Sequence, residues 1–536
     1  PFAVSRVPAT AAELTAHNLE STLTEPPMAL VRAHPPLGRG ESPVRGAEGV
    51  AVVAVPIAAG DGGAERATPQ PRHGAGEAAA DFGVDVVALA EVHGISGKAG
   101  DVLAVPVPPN SQGLPSRLVL IGLGSGSPAE LRKAGAALAR ATMGTESVRT
   151  TAVDSLPEEL QQAFIEGFLL GGYRPPRAGA SAAPKPMAAV LEVSGLAEGA
   201  AATAAAGARA TWLARDLANM PSNVKNPEWM ASQAGRLAGA SGLSIQVWDE
   251  HQLAAEGFGG LLAVGSASPT PPRLVQLDYT PERPGKDTKH IVIVGKGITF
   301  DTGGLSLKPR ESMVPMKTDM AAAGVVMAVL AAAAELGVQH RVTGLLALAE
   351  NSIGAGSYRP GDVVAVYGGT TVEIGNTDAE GRMVLADGLA YATARLQPDV
   401  LVDVATLTGA ASMGLGKQHA ALYGTRPGLL RAFEAAGEAT GERVWHMPLD
   451  EVAAEYGFAL ESGIADISHI ASQKSKVGGG SITAALFLRE FVGGTPWIHL
   501  DIAGPARADS DRAEVTKGAT GYGARLLLSF LRSYRG

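Results

Sequence analysis

The chain has 536 residues and a formal net charge of −9, with 46% hydrophobic residues, 18% charged residues and no cysteine. This length favours two or more domains over a single core, and the acidic balance without a dense Lys/Arg run argues against a nucleic-acid partner. The lack of cysteine excludes disulfides, thiolate metal sites and a cysteine nucleophile, and it fits a cytoplasmic protein.

The sequence predicts neither a targeting segment nor a membrane segment. The first residues lack a basic stretch followed by an apolar core, so we expect no signal peptide. No run of about 18 apolar residues is present, so we expect no membrane span and no membrane partner.

The first 197 residues are predicted to form an extension and a small domain. Residues 1–45 are rich in Pro and Ala and weakly patterned, which is typical of an N-terminal extension with poor order at its start. Residues 46–197 are predicted to form a compact α/β domain. Its predicted strands are 50–57, 85–91, 117–124 and 188–194, its predicted helices are 128–143 and 157–172, and residues 60–79 are a flexible loop by composition.

The glycine-rich stretch 122–126 lies between a predicted strand and a predicted helix. Backbone N–H groups in such a loop can bind phosphate. The spacing is GxGxG rather than GxGxxG, however, and no acid follows convincingly about 20 residues later. We interpret the loop as a turn that packs the helix on the sheet, with nucleotide binding as the weaker alternative.

Residues 198–218 are predicted to form a linker helix, and residues 219–536 a larger domain. Its predicted strands are 242–249, 273–280, 291–295, 342–350, 400–407 and 497–503, and its predicted helices are 319–336, 381–396, 427–439, 480–492 and 519–534. This alternation predicts a largely parallel sheet with helices on both faces. The carboxyl ends of the strands then meet at one edge, which is where open α/β sheets bind ligands.

Charged residues of the second domain are concentrated in polar turns that follow apolar runs. Lys296 follows the predicted strand 291–295, and the turn NTDAEG at 376–381 follows the β-rich run 371–375. The whole set consists of Lys296, Asp301, Lys308, Asp319, Asp378, Glu380 and Arg382. Converging carboxylates repel one another unless divalent cations lie between them, and four carboxylates can hold two such ions when some of them bridge.

Each of these acids, taken alone, is better explained as a solvated loop residue or a helix cap. The complete set, with lysines in apolar-flanked turns, favours a centre of two metals that activate water for attack at neutral pH. The scattered histidines have no HExxH spacing, and the chain has no GxSxG motif, which argues against a serine hydrolase.

Four stretches closely resemble the signatures of the leucyl (cytosol) aminopeptidase family, which comprises two-metal, M17-type peptidases. They are VGKGITFDTGG, SLKP, MKTDM and NTDAEGR, and the resemblance continues in 214–223, 405–410 and 499–506. It covers roughly 205–536, with Met383 in place of the usual leucine as the one visible change. The resemblance implies a smaller N-terminal, macro-like α/β domain and a larger C-terminal α/β/α catalytic domain with a mostly parallel central sheet.

The resemblance also implies a role for each site residue. The metal ligands would be Lys296, Asp301, Asp319, Asp378 and Glu380. Lys308 and Arg382 would flank the reacting carbonyl, with Lys308 stabilising the oxyanion and Arg382 holding a bicarbonate ion that shuttles protons. The pocket for the first side chain would be lined by Met316, Thr406, Leu407, Gly409 and Ala503, and also by Ala506.

The expected function is that of a metal-dependent aminopeptidase that removes Leu-like N-terminal residues from peptides. Two divalent ions per chain are expected, Mn²⁺ or Zn²⁺ with Mg²⁺ and Co²⁺ as alternatives. The ligands do not identify the metal, because oxygen ligands with one lysine nitrogen suit all four ions. The resemblance implies a homohexamer. Two other functions remain open at this point: a DNA-binding or scaffold role on the same fold, and a two-metal phosphoesterase.

Overall fold

A computed structural model describes residues 28–47, 49–58, 69–107, 113–175, 185–471 and 478–536. It consists of two α/β domains joined by a long helix, which confirms the predicted two-domain α/β architecture. Residues 1–27 of the predicted extension, and 60–68 of the predicted loop, lie outside the described residues.

Seven strands form the N-terminal sheet. In chain order they are β1 Leu30–His34, β2 Val52–Ala58, β3 Gln70–Pro71, β4 Val102–Pro106, β5 Arg117–Gly122, β6 Ser147–Thr150 and β7 Val190–Ser194. The strands β1, β7, β6, β2 and β5 are parallel neighbours in that order, and β4 pairs antiparallel with β5. The helices are α1 Ala75–Phe82, α2 Val86–Val92, α3 Pro128–Ala141 and α4 Glu158–Gly171.

Strand β2 is buried on both faces. Val52 and Ala54 belong to a core with helices α3 and α4, while Val53 and Val55 belong to a second core with α1 and α2. This double burial explains why the strand is a continuous apolar run in the sequence instead of an alternating one.

Three predictions for this domain are wrong in detail. The predicted strand 85–91 is helix α2, because the side chain of Asp85 accepts hydrogen bonds from the N–H groups of Val87 and Ala88 and caps a helix. A short apolar run does not distinguish a strand from a buried helix. Strand β1, within the stretch predicted as an extension, pairs with β7. Helix α1 occupies the end of the predicted loop 60–79.

The glycine turn at 122–126 packs as the sequence predicted. A Cβ atom on Gly122 would lie 2.2 Å from the carbonyl oxygen of Lys98, so only glycine fits there. The carboxylate of Glu130 accepts a hydrogen bond from the N–H of Ser125 at 2.9 Å and further bonds from the hydroxyls of Ser125 and Ser127. The N–H of Ser125, a backbone donor that a phosphate would need, is therefore already bonded to a side chain of helix α3.

The larger, C-terminal domain is built on an eight-stranded sheet with smaller sheets beside it. Its strands are β8 Ser244–Trp248, β9 Arg273–Tyr279, β10 His290–Asp301, β11 Arg341–Asn351, β12 Val363–Ala365, β13 Thr371–Glu373, β14 Val400–Ala405, β15 Ala420–Gly424, β16 Val444–His446, β17 Ile467–Ser468, β18 Trp497–Asp501, β19 Arg507–Ala508 and β20 Gly518–Ala519. The main order is β16-β15-β18-β14-β10-β11-β9-β8. Its centre, β18-β14-β10-β11, is parallel, as predicted.

Helices cover both faces of this sheet. They are α5 Ala200–Asn219, α6 Pro227–Ser241, α7 Glu250–Glu256, α8 Gly259–Gly265, α9 Arg310–Met313, α10 Ala321–Glu335, α11 Glu380–Tyr391, α12 Gly409–Leu415, α13 Pro427–Thr440, α14 Ala453–Tyr456, α15 Gly480–Arg489 and α16 Ala524–Ser533. By length and composition Arg310–Glu335 could span a bilayer, but 83% of its apolar window is buried within the protein, as in a core helix.

The helix α5 corresponds to the predicted linker and packs against both domains. It contacts α4 of the N-terminal domain on one side and α10 of the larger domain on the other. The hydroxyl of Tyr173, just after α4, donates to the carboxylate of Asp216 in α5 at 2.7 Å. The linker helix therefore lies at the interface between the two domains and packs against both of them.

Candidate active site

The strand β10 carries the first two site residues. It runs to Asp301, so Lys296 lies within the strand, whereas the sequence predicted that the strand ends at 295. Pairing with β11 continues through Lys296 and Gly297. A Cβ atom on Gly297 would lie 2.5 Å from Leu348, so the glycine that interrupts the apolar pattern is what permits close packing there.

Lys296 is paired with two carboxylates. Its Nζ lies 2.8 Å from Oδ2 of Asp319 and 2.9 Å from Oε1 of Glu380, and it donates to the carbonyl oxygen of Thr406 at 2.9 Å. Gly381, the second residue of helix α11, has no Cβ, and a Cβ at this position would lie 2.5 Å from Cε of Lys296. The helix can therefore bring Glu380 directly against the strand.

Lys308 makes the second pair of contacts. Its Nζ lies 2.7 Å from Oδ2 of Asp301 and 2.5 Å from Oδ1 of Asp378. The loop between Asp301 and Lys308 turns at Gly303, whose φ of 87° is in the left-handed region. The fold thus unites six of the seven predicted charged residues.

The seventh, Arg382, lies behind the cluster. It is buried, it does not line the cavity described below, and its Nη1 donates to the carbonyl oxygen of His469 at 2.5 Å. Its Nε is buried and has no hydrogen-bond partner within the described ranges. Burial lowers the pKa of Arg382 to about 10, so the guanidinium remains charged at neutral pH.

The donor set fits divalent cations. Asp301, Asp378 and Glu380 each offer one oxygen, and these oxygens lie within 4.8 Å of one another. Burial, and then the neighbouring Asp301, raise the pKa of Glu380, while burial raises the pKa of Asp319 despite Lys296. Four carboxylates face two ammonium groups, which leaves an excess of negative charge that hard cations would neutralise.

Asn351 is a supporting residue that the sequence analysis missed. Its Nδ2 donates to Oδ1 of Asp301 at 2.8 Å and to the carbonyl oxygen of Thr377 at 3.1 Å. The hydroxyl of Thr377 in turn donates to the carbonyl oxygen of Gly303 at 2.7 Å. These bonds hold together the two loops that carry the acids. The sequence signal is a single Asn at the end of a strand, which is too common to identify it.

A cavity of about 370 Å³ opens in front of the cluster. The predicted pocket residues all line it: Met316, Thr406, Leu407, Gly409, Ala503 and Ala506. The buried carboxylate of Asp501 accepts hydrogen bonds from the N–H groups of Leu407, Thr408 and Ala503 at 3.1 Å each, and so joins two walls of the cavity. A larger cavity of about 450 Å³ beside the linker helix is lined mainly by alanine. Its two acids, Asp216 and Glu335, are paired with Tyr173 and Arg209, so the chemistry points to the smaller cavity.

Comparisons with known proteins identify the family of the chain. The sequence matches the cytosol aminopeptidase family over its catalytic domain at residues 212–528 and over its N-terminal domain at residues 67–178. A probable cytosol aminopeptidase of Chlorobium limicola is 38% identical over 483 residues, which are 85% of this chain and 91% of that protein. One of Micrococcus luteus is 42% identical over 82% of this chain and 87% of its own length.

A solved structure is similar as well. The bottromycin maturation enzyme BotP in complex with Mn is 36% identical and has a TM-score of 0.78, and the match covers 90% of this chain and 99% of BotP. The family resemblance predicted from the signature stretches is therefore confirmed. The chain belongs to the cytosol aminopeptidase family, which implies a metal-dependent aminopeptidase.

Proposed function

We propose that the protein removes Leu-like residues from the N-termini of peptides with the help of two divalent metal ions. The observation that carries this proposal is the convergence of four carboxylates and two lysines at the wall of one cavity with apolar lining. The metals would be held by Lys296, Asp301, Asp319, Asp378 and Glu380. When bound, they supply Lewis acidity and a water of lowered pKa.

Lys308 is positioned to stabilise the negative charge that develops on the substrate carbonyl oxygen. Burial alone would lower the pKa of Lys308, but Asp301 and Glu380 together raise it above the ordinary lysine value. The side chain therefore stays an ammonium, and a charged donor in a half-enclosed cavity stabilises an oxyanion strongly. Its partner Asp378 is only partly buried, with 32% of the side chain exposed, which leaves this edge of the cluster open to substrate.

Two further groups complete the proposed chemistry. The walls formed by Met316, Leu407 and Ala503 accept an apolar first side chain and exclude water around it. The buried Nε of Arg382, without a protein partner in the described part of the chain, supports an anion at this guanidinium. We assign bicarbonate there, as a proton carrier, because Arg382 itself cannot accept a proton. Since Arg382 does not line the cavity, the ion would have to lie between the guanidinium and the cavity.

Removal of metal tests the proposed function. We expect EDTA or phenanthroline to abolish hydrolysis of leucine p-nitroanilide, and Mn²⁺ or Zn²⁺ to restore it, because the proposed mechanism requires metal ions held by five of the site residues. BotP was solved with Mn, which makes Mn²⁺ the first ion to add. Full activity in a preparation shown by elemental analysis to be metal-free would rule the proposal out.

Two further assays distinguish the alternative functions. Hydrolysis of an aryl phosphate in place of the leucyl amide would favour a phosphoesterase. Salt-sensitive retention of DNA on a filter, without peptidase activity, would favour a DNA-binding role.

We also propose a cytoplasmic homohexamer. Its support is family membership together with the names of the relatives, which are cytosol aminopeptidases. Light scattering is expected to give a mass near six times the chain mass of 54.5 kDa. A stable and fully active monomer would contradict this assembly.

A further inference from the structure

The active-site cavity has a second charged region besides the acid cluster. Lys417, just after helix α12, and Arg507, at the start of β19, both line it. Apart from the six residues of the cluster, they are the charged residues among those that line the cavity in the described part of the chain. Both are cations, and the proposed mechanism gives neither of them a role.

A close backbone contact brings the two cations to the same wall. A Cβ atom on Gly504 would lie 2.2 Å from the carbonyl oxygen of Gly416, so the loops before Arg507 and Lys417 touch at their backbones. Gly416 itself has a φ of 70°, which other residues adopt only with strain. The carboxylate of Asp501 accepts a hydrogen bond from the N–H of Ala503. One carboxylate therefore stabilises both the wall with the two cations and the apolar wall of the cavity.

Neither cation is neutralised by a strong partner. Nζ of Lys417 lies 2.5 Å from Oδ2 of Asp509, but their side chains are 52% and 73% exposed, and exposed pairs contribute little free energy. Arg507 is half-buried and makes no ion pair within the described ranges. Its acidic neighbour is the same exposed Asp509, whose pKa is lowered first by Lys417 and then also by Arg507. An arginine fork and an ammonium on one wall match the geometry of a carboxylate.

We propose that Lys417 and Arg507 bind the carboxylate of a short peptide substrate, so that the enzyme favours di- and tripeptides. This inference rests on the proposed aminopeptidase function and names its substrate class. The N-terminal side chain would occupy the apolar wall, and the carboxylate one or two residues later would reach the cationic wall. A cavity of about 370 Å³ is at the small end for ligand pockets and suits a peptide of this length.

The test compares Leu-Leu with Leu-Leu amide, which differ only in the terminal charge. We expect wild-type kcat/KM to be about tenfold lower for the amide, mainly through KM, because one charge-assisted contact is lost. We expect the ratio of kcat/KM for Leu-Leu to kcat/KM for its amide to approach one in Lys417→Met, and more fully in the Lys417→Met/Arg507→Met double variant. The single variant is at an exposed position, so its folding is not at risk.

Lys286→Met is the matched control. Lys286 is an exposed lysine of the same domain, before the start of β10 and so at the opposite end of that strand from Asp301. It should keep the wild-type ratio. A second arm, Leu-Glu amide against Leu-Gln amide, distinguishes the source of the carboxylate: a preference for Glu that is lost in the variant assigns the site to acidic side chains, and a preference confined to free C-termini assigns it to the peptide end.

Two results would overturn the carboxylate site: equal kcat/KM for Leu-Leu and its amide in the wild type, or an unchanged ratio in the double variant. If the wild type hydrolysed neither peptide, the proposed aminopeptidase function would fail instead. Calorimetric binding of the same two peptides would then still decide the inference, with about tenfold weaker binding of the amide in its favour and equal binding against it.

Discussion

Lys296→Arg is expected to remove one of two metal ions per chain and to lower kcat roughly 10³-fold or more, beyond the loss from one oxyanion donor. An ammonium has no lone pair, so Lys296 can bind a metal only when neutral. A divalent cation close by disfavours the charged form, and metal affinity should therefore fall as pH falls, because protons compete for the nitrogen. Arginine keeps the charge but offers no lone pair. Elemental analysis of the purified variant gives the metal count.

The contacts of Lys296 make this experiment discriminating. Burial by itself would lower its pKa, yet Asp319 and Glu380 raise it above the ordinary value, so the structure also fits a lysine that serves as an ion-pair partner. Space is tight, since a Cβ on Gly381 would already meet Cε of Lys296. Lys296→Met controls for arginine's bulk: a ligand role predicts loss of one metal again, and an ion-pair role predicts that both metals stay. Two metals per chain in both variants would mean that Lys296 is not a ligand.

Lys308→Met is expected to retain both metals and to lose kcat by roughly 10²–10³, the scale for one oxyanion donor. Lys308 contacts Asp301 and Asp378, but its side chain is 13% exposed toward the cavity, whereas that of Glu380 is 2% exposed. Glu380→Ala is the comparison, because it removes a proposed ligand and should lose metal together with rate. Metal loss in Lys308→Met as large as in Glu380→Ala would contradict this division of roles.

The sequence predicted the central fold well because its strands are buried on both faces. Ile291 and Ile293 pack in one core, and Val292 and Val294 in the other, so the run has no polar interruption. The predicted strand stopped at 295 because Gly295–Lys296–Gly297 breaks that run, while pairing with β11 extends the strand to Asp301. The β-rich run 371–375 forms β13 in a separate small sheet, which no local pattern indicates.

The sequence predicted which charged residues belong to the candidate site, but not which of them contact one another. Motifs identified the charged residues, yet which carboxylate faces which lysine depends on how β10 meets helix α11. Asn351 and the wall of Lys417 and Arg507 come from distant stretches that only the fold brings together. The position of Arg382 against His469, behind the cavity, likewise has no sequence signal.

The linker helix α5 has a consequence for where this protein can be divided. Fourteen of its twenty residues are buried, because it faces helix α4 on one side and α10 on the other. A fragment beginning after Asn219 would therefore leave the alanine-rich surface of α10 facing water, and a fragment ending before Ala200 would uncover α4. The helix packs in the cores of both domains. A fragment that starts or ends at either end of this helix would therefore expose apolar residues that the helix buries in the whole protein.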